Sequence, residues 1–483
     1  MTTTGTARTP ALLASAIAGA CLLLSACGGG GGSTATTTTT GGSTGGTGGT
    51  SNVCSLASRQ AWALGQINEW YLFPSLLDTG ANPASQTTLQ GYIDALVAPA
   101  RAQSRDRFFT YVTSIAEENA FNNSGQTAAF GIRVQYNSTA RTAFIADAFE
   151  GAPALAAGID RGMELLAVGP DAGNLTSVAT LMANGGSAAV SDALGPGTVG
   201  LTRALQLRRT DGTSFTVTIT KANFSIQPVS PRFGTRIIDN GGTPVGYLNM
   251  RTFINTADPQ LRAAFLDFRN RGITQFIIDF RYNGGGLVDI ADLMGDLLGR
   301  DRSTTDVFGF TTFRPEKAVN NTTDRFSPQP QSVAPTRIAF IGTGATASAS
   351  ELVMNGMIPY LRTNVALVGA NTFGKPVGQI GLDLAACDDR LRIVAFATQN
   401  ADRQGDYYTG MASVMPNTCV ASDDLTRPMG DPAETSTARA LDFLAGRSCT
   451  SITASAREAS GGNRVMAEAR EPDVAQREVP GLF

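Results

Sequence analysis

A serine and a lysine stand 27 residues apart, in the segments Thr346-Ala-Ser348-Ala-Ser350-Glu351 and Phe373-Gly-Lys375-Pro-Val-Gly-Gln379, within a chain that has no histidine. A hydroxyl that attacks a carbonyl needs a base to take its proton, and without imidazole the Ser-His-Asp solution is closed. A lysine amine can act as that base only when neutral, which requires desolvation or a neighbouring cation to bring its pKa down from about 10.4. The pair therefore offers acyl transfer to Ser348 with Lys375 as general base. Backbone N–H groups and a helix dipole at Ser348 would favour a developing oxyanion: the N–H of Ala349 is one candidate donor, and a glycine of the Asn283-Gly-Gly-Gly286 turn the other. Taken singly, a serine in a small-residue turn is ordinarily a cap, and a lysine after glycine is ordinarily solvated. The ordered set carries the reading.

The elements that must position these residues can be read from patterning. Arg337 to Ile341 reads as a buried strand leading into the Ser348 turn, with a helix beginning near Ser350. Thr274 to Phe280 is a second buried strand, followed by the glycine turn and a helix to about Leu298, and Asn364 to Gly369 is a third. Asp239-Asn-Gly-Gly242 between two β-rich runs signals a hairpin, and Asp258-Pro259 signals a helix start, with Gly272 as its stop. The expected organisation is a signal peptide over 1–27, a Gly/Thr-rich linker over 28–53, a helical region over 54–125, a β-rich domain over 126–228, a layered α/β domain over 229–450 and a disordered tail over 451–483. Within the β-rich domain, Gly151 to Val168 resembles the helix and following strand of a PDZ domain, with Met163-Glu164 in place of the usual Gly-Asp. Such modules bind the C-termini of other polypeptides by adding a strand to a sheet edge. Asp279 reads as a buried residue that fixes the glycine turn rather than as a catalytic acid.

Phe276-Ile-Ile-Asp-Phe-Arg-Tyr-Asn-Gly-Gly-Gly286, Thr346 to Gln379, Arg105-Asp-Arg-Phe-Phe-Thr-Tyr111 and Asp431 to Leu444 together resemble the C-terminal processing peptidases, also called tail-specific proteases or family S41. The resemblance spans most of the chain from Cys54 to Gly446. It implies a protease domain of the ClpP/crotonase-like type, Ser348 as nucleophile, Lys375 as base, Gln379 as the residue that orients the amine, Ala349 and Gly285 as oxyanion donors, and no cofactor. Two departures stand out: Pro376 where the family usually has glycine, and Tyr282-Asn283-Gly284 where it often has Asn-Pro. The alternative reading is a catalytically silent protein of the same fold that only binds peptide C-termini.

The N-terminus carries Arg8, an apolar run from Ala11 to Leu24 too short to span a bilayer, and Leu24-Ser-Ala-Cys27, which resembles the lipobox of bacterial lipoproteins. That resemblance implies lipidation of Cys27 and a periplasm-facing anchor, with Gly28 favouring the outer membrane. The linker would hold the folded part about 25 Å from the lipid. Cys54, Cys387, Cys419 and Cys449 remain, an even set in an oxidising compartment that suggests two disulfides. Of three connectivities, Cys387 with Cys419 and Cys54 with Cys449 is favoured. No C-x-x-C spacing suggests a metal site. A net charge of −3 with 16% charged residues supplies no field for nucleic acid, so the expected partners are protein or peptide substrates with exposed C-termini. Gly342-Thr-Gly344-Ala-Thr-Ala347 fits a dinucleotide fingerprint, but no acidic residue follows the next strand to hold a ribose.

Overall fold

The structure is a computed structural model describing residues 53–452 and 464–483. The signal segment, Cys27 and almost all of the Gly/Thr-rich linker lie outside the described residues. Among those described, no helix is long and apolar enough to cross a membrane.

The Ser348 and Lys375 segments are carried by a six-stranded sheet in the order Thr235–Asn240, Thr243–Asn249, Gln275–Asp279, Arg337–Gly342, Val365–Gly369, Asn417–Val420. The first two strands form the expected hairpin, and each later pair is parallel. Alternation along the strands explains why both faces are covered. Phe276 and Ile278 point into a core shared with the helices Ala257–Asn270, Val288–Leu297 and Ala349–Leu361. Ile277, Ala339 and Ile341 point into another core, closed by the helix Thr435–Leu444. The domain is therefore a helix–sheet–helix sandwich. Three neighbouring parallel strands end at Asp279, Gly342 and Gly369 and release the glycine turn, the Ser348 segment and the Lys375 segment from the same edge. Ligand sites of open α/β sheets occur at this carboxyl edge.

A second, antiparallel sheet stands beside Lys375. Asp389–Gln399 pairs with Val377–Leu384, with Val307–Phe313 and with Tyr111–Ser114, a strand from the N-terminal region expected to be mainly helical. The β-rich domain is a seven-stranded antiparallel sheet in which Ile132–Asn137, Thr142–Ala148, Glu164–Gly169, Thr202–Arg208 and Ser214–Thr220 follow one another, with the helix Val178–Leu194 packed on it.

Two expectations are corrected. The tail is not wholly without structure: Arg464–Met466 pairs with Ile132–Asn137, Val474–Glu478 is helical, and Val479, Leu482 and Phe483 are buried. Its apolar residues are too widely spaced to show a period, yet they fill a seam between domains. The disulfides join Cys54 to Cys387 and Cys419 to Cys449, not Cys387 to Cys419 and Cys54 to Cys449. Sequence order could not reveal this. The Val420 N–H bonds to Thr450 O, which lays Cys449 beside its partner strand. Arg59 pairs with Asp389, which brings the first helix to the turn holding Cys387.

Candidate active site

The glycine turn is held rigidly from below. Asp279, fully buried at its strand end, accepts from Tyr247 Oη at 2.7 Å and from Arg281 N at 3.1 Å, and Arg281 reaches on to Glu434 at 2.9 Å. Two arginines, Arg161 and Arg281, hold the Asp423 carboxyl far below its usual range despite its burial, and Asp423 also accepts from Tyr282 Oη. This is the turn-fixing role expected of Asp279. Asn283 then links the turn to the serine segment: its carbonyl accepts from Ala347 N at 3.0 Å and from Ser350 Oγ at 3.3 Å.

Ser348 sits immediately before the helix Ala349–Leu361 with φ 56° and ψ −117°, a conformation that costs a non-glycine residue on the order of 1–3 kcal/mol. It is partly exposed, whereas Ser350 is fully buried and hydrogen-bonded. The two serines of the motif are thereby distinguished. Gly285, at φ +121°, lies so close that a Cβ there would be 2.7 Å from Ser348 Cβ and 3.2 Å from Ala349 N, so only glycine fits.

The residue that joins serine to lysine is one to which sequence reasoning assigns no role. Glu351 is fully buried, and its Oε2 accepts from Ser348 N at 3.0 Å and from Lys375 N at 2.7 Å. Its Oε1 accepts from Gly374 N at 2.6 Å and Thr372 Oγ1 at 2.5 Å. Burial raises this carboxyl above its ordinary range while the four donors pull it back. The backbones of Ser348 and Lys375 thus meet at a single oxygen. A signal was available: Ser348-x-x-Glu351 before an apolar run has the spacing of a capping box.

Lys375 Nζ donates to Gln379 Oε1 at 2.8 Å and lies 4.9 Å from the centre of the Phe109 ring. Gln379 Nε2 in turn donates to Phe109 O, which fixes which end of the amide faces the lysine. Desolvation lowers the Lys375 pKa from 10.5, opposed by the charges of Glu478 and Asp106 and aided by Arg392 and Arg477. The Arg105–Tyr111 motif buttresses this loop: Arg107 donates to Phe373 O at 2.7 Å and stacks over the Phe373 ring. The structure therefore gathers Ser348, Ala349, Gly285, Lys375 and Gln379 at one sheet edge. In this state Gly285 N donates to Asn283 Oδ1 at 2.9 Å, and Gly284 N donates to Glu478 O of the tail at 3.0 Å. Cys54, Cys387, Cys419 and Cys449 are spent in disulfides. Among the described residues, no cluster of His, Cys, Asp or Glu could hold a metal ion.

Residues 244–408 match the model of peptidase family S41. A carboxyl-terminal-processing protease of Picosynechococcus is 27% identical over 262 residues, which cover 53% of this chain and 56% of that protein. Carboxyl-terminal-processing peptidase 1, chloroplastic, of Arabidopsis thaliana is 32% identical over 149 residues, 31% of this chain and 28% of that protein. The chain spans about half or less of the length of these curated relatives. An S41 protease from Bacteroides fragilis, known from its crystal structure, shares the fold with a TM-score of 0.61 and 24% identity, covering 80% of this chain and 97% of that one. Through residues 244–408 the chain is similar to peptidase family S41.

Proposed function

We propose that the protein is a serine endopeptidase in which Ser348 is the nucleophile and Lys375 the general base. Ser348 Oγ adds to the scissile carbonyl carbon while its proton passes to Lys375 Nζ, and the oxyanion is received by the N–H of Ala349 and, once turned from Asn283, that of Gly285. Collapse expels the amine, which takes the proton back from Lys375. Water then adds to the acyl-enzyme with Lys375 again as base, releasing the acid and freeing Ser348. Gln379 orients the amine. The observation that carries this reading is the Glu351 carboxylate, which holds the Ser348 and Lys375 amides on one oxygen beside Gly285.

The base works only when neutral, so activity rises with pH. Because burial lowers the Lys375 pKa, the rise lies below the 10.5 of an ordinary lysine. The β-rich domain is assigned as a PDZ-like module that takes the C-terminal tails of exported substrates, and Cys27 as a lipid anchor facing the periplasm, in the outer membrane. Degradation of an unfolded protein by wild type, Ser348→Ala and Lys375→Ala tests the assignment. Cleavage by the wild type alone is expected; equal cleavage by all three would defeat it.

A further inference from the structure

An edge strand exposes unpaired N–H and C=O groups, and in a PDZ-like module that edge is where a peptide adds. Here the edge of Ile132–Asn137 is already covered by two stretches of the tail. Arg464–Met466 pairs antiparallel with Gln135–Asn137, and Ala467 N donates to Val134 O at 2.9 Å. The tail returns farther along the same edge, where Val134 N donates to Gly481 O at 2.8 Å and Phe483 N to Ile132 O at 2.9 Å. Two consecutive amides, Gly131 N and Ile132 N, converge on Phe483 O at 3.0 and 3.1 Å. The Phe483 side chain is 1% exposed, in the core that also holds Phe130 and, from the helix Val178–Leu194, Val190 and Leu194. A strand on the edge and an aromatic ring between strand and helix is what an incoming peptide would supply.

Between those stretches the tail crosses the catalytic turn. Gly284 N donates to Glu478 O, and a Cβ on Gly284 would lie 2.8 Å from Arg477 O and 3.0 Å from Glu478 O. Proline, common at this position in the family the sequence resembles, would lack the donor and occupy the space. The departure at Gly284 and the docked tail therefore fit each other.

We propose that segment 464–483 is an intramolecular ligand that fills the peptide groove and crosses the catalytic turn, so that substrate segments of the same apolar class, placing a large aromatic ring where Phe483 sits, must displace it. This rests on the peptide-groove reading above. Tethering makes the tail an effectively concentrated competitor without any contact beyond those described. The charged groups facing Lys375 around this segment are Glu478 and Arg477 from the tail, Asp106 and Arg392; Glu478 favours the ammonium form and Arg477 disfavours it, so the charges of the docked tail act on the base in opposite directions while the segment covers the turn.

The test measures binding of a fluorescent peptide with the sequence of residues 473–483, by anisotropy, in a Ser348→Ala background so that no cleavage is needed. A protein ending at Pro472 should bind it at least thirtyfold more tightly than the full-length protein, and a peptide with Phe483→Asp should bind at least tenfold more weakly. Equal affinity of the two proteins, or no binding by a folded truncated protein, overturns the proposal. Should the truncated protein fail to fold, the full-length protein with Phe483→Asp decides: tighter peptide binding than wild type supports the proposal, and equal affinity overturns it. Because the readout is binding, failure of the protease assignment would leave this result standing.

Discussion

The proposed catalytic corner and the proposed peptide groove are held by opposite means. In the corner, short bonds tie the predicted residues to one another: Glu351 to Ser348 and Lys375, Asn283 to the serine segment and Gln379 to Lys375, with Phe109 O of the N-terminal region holding Gln379. In the groove, the partners of Ile132 and Val134 come from a segment more than 300 residues away in sequence. The serine and lysine segments are preorganised relative to one another, with Gly285 N still to turn from Asn283, whereas the groove is occupied by a segment able to leave. Changes in the corner should therefore lower the hydrolysis of any substrate, and changes in the groove only that of substrates that need it.

The sharpest way to break this contrast is Ser348→Ala or Lys375→Ala. Each should lower kcat by about a thousandfold or more on a small ester and on a protein alike, measured with folding confirmed by circular dichroism. Glu351→Gln replaces an acceptor of four donors by an amide whose NH2 faces one pair of them. Hydrogen bonds to a charged group contribute about 1.5–3 kcal/mol each, so a roughly hundredfold loss in kcat with little change in KM is expected on both substrates. Gln379→Ala removes the acceptor of Lys375 Nζ and should cost about tenfold in kcat. A Glu351→Gln enzyme with normal kcat would show that the shared carboxylate is a structural cap only.

The smallest effect is expected where the two regions touch. Arg133, on the groove strand, is buried, donates to Tyr282 O of the catalytic turn and has a pKa lowered to about 10 by desolvation. Arg133→Met keeps most of the volume and removes a poorly solvated charge, so stability should change by less than about 2 kcal/mol. Protein hydrolysis should fall about tenfold while ester hydrolysis stays within threefold. Equal losses on both would mean that corner and groove form one mechanical unit.

Legibility in the sequence followed the same division. Ser348, Lys375, Gln379 and the glycine turn stand in local motifs, and three buried apolar runs announced the parallel strands that carry them. Glu351 was visible as the last letter of a motif, but its role needs a loop 24 residues on to fold back, which local spacing does not state. The strand Tyr111–Ser114 was hidden in a helical stretch because its pairing partner lies in Asp389–Gln399. The tail escaped because Val479, Leu482 and Phe483 bury themselves against a surface made elsewhere, and composition alone cannot see that surface. The disulfides failed for a related reason: an even count constrains number, and only the fold brings Cys54 to Cys387.

Whether a lysine of lowered pKa is the base for Ser348 is decided by the pH dependence of Ser348 acylation by a small activated ester. A single rise with pH whose midpoint lies below 10.5 is expected, with the acyl group found on Ser348 by mass spectrometry and the rise lost in Lys375→Ala. A rate flat from mildly acidic to alkaline pH, or acylation at another residue, would contradict it.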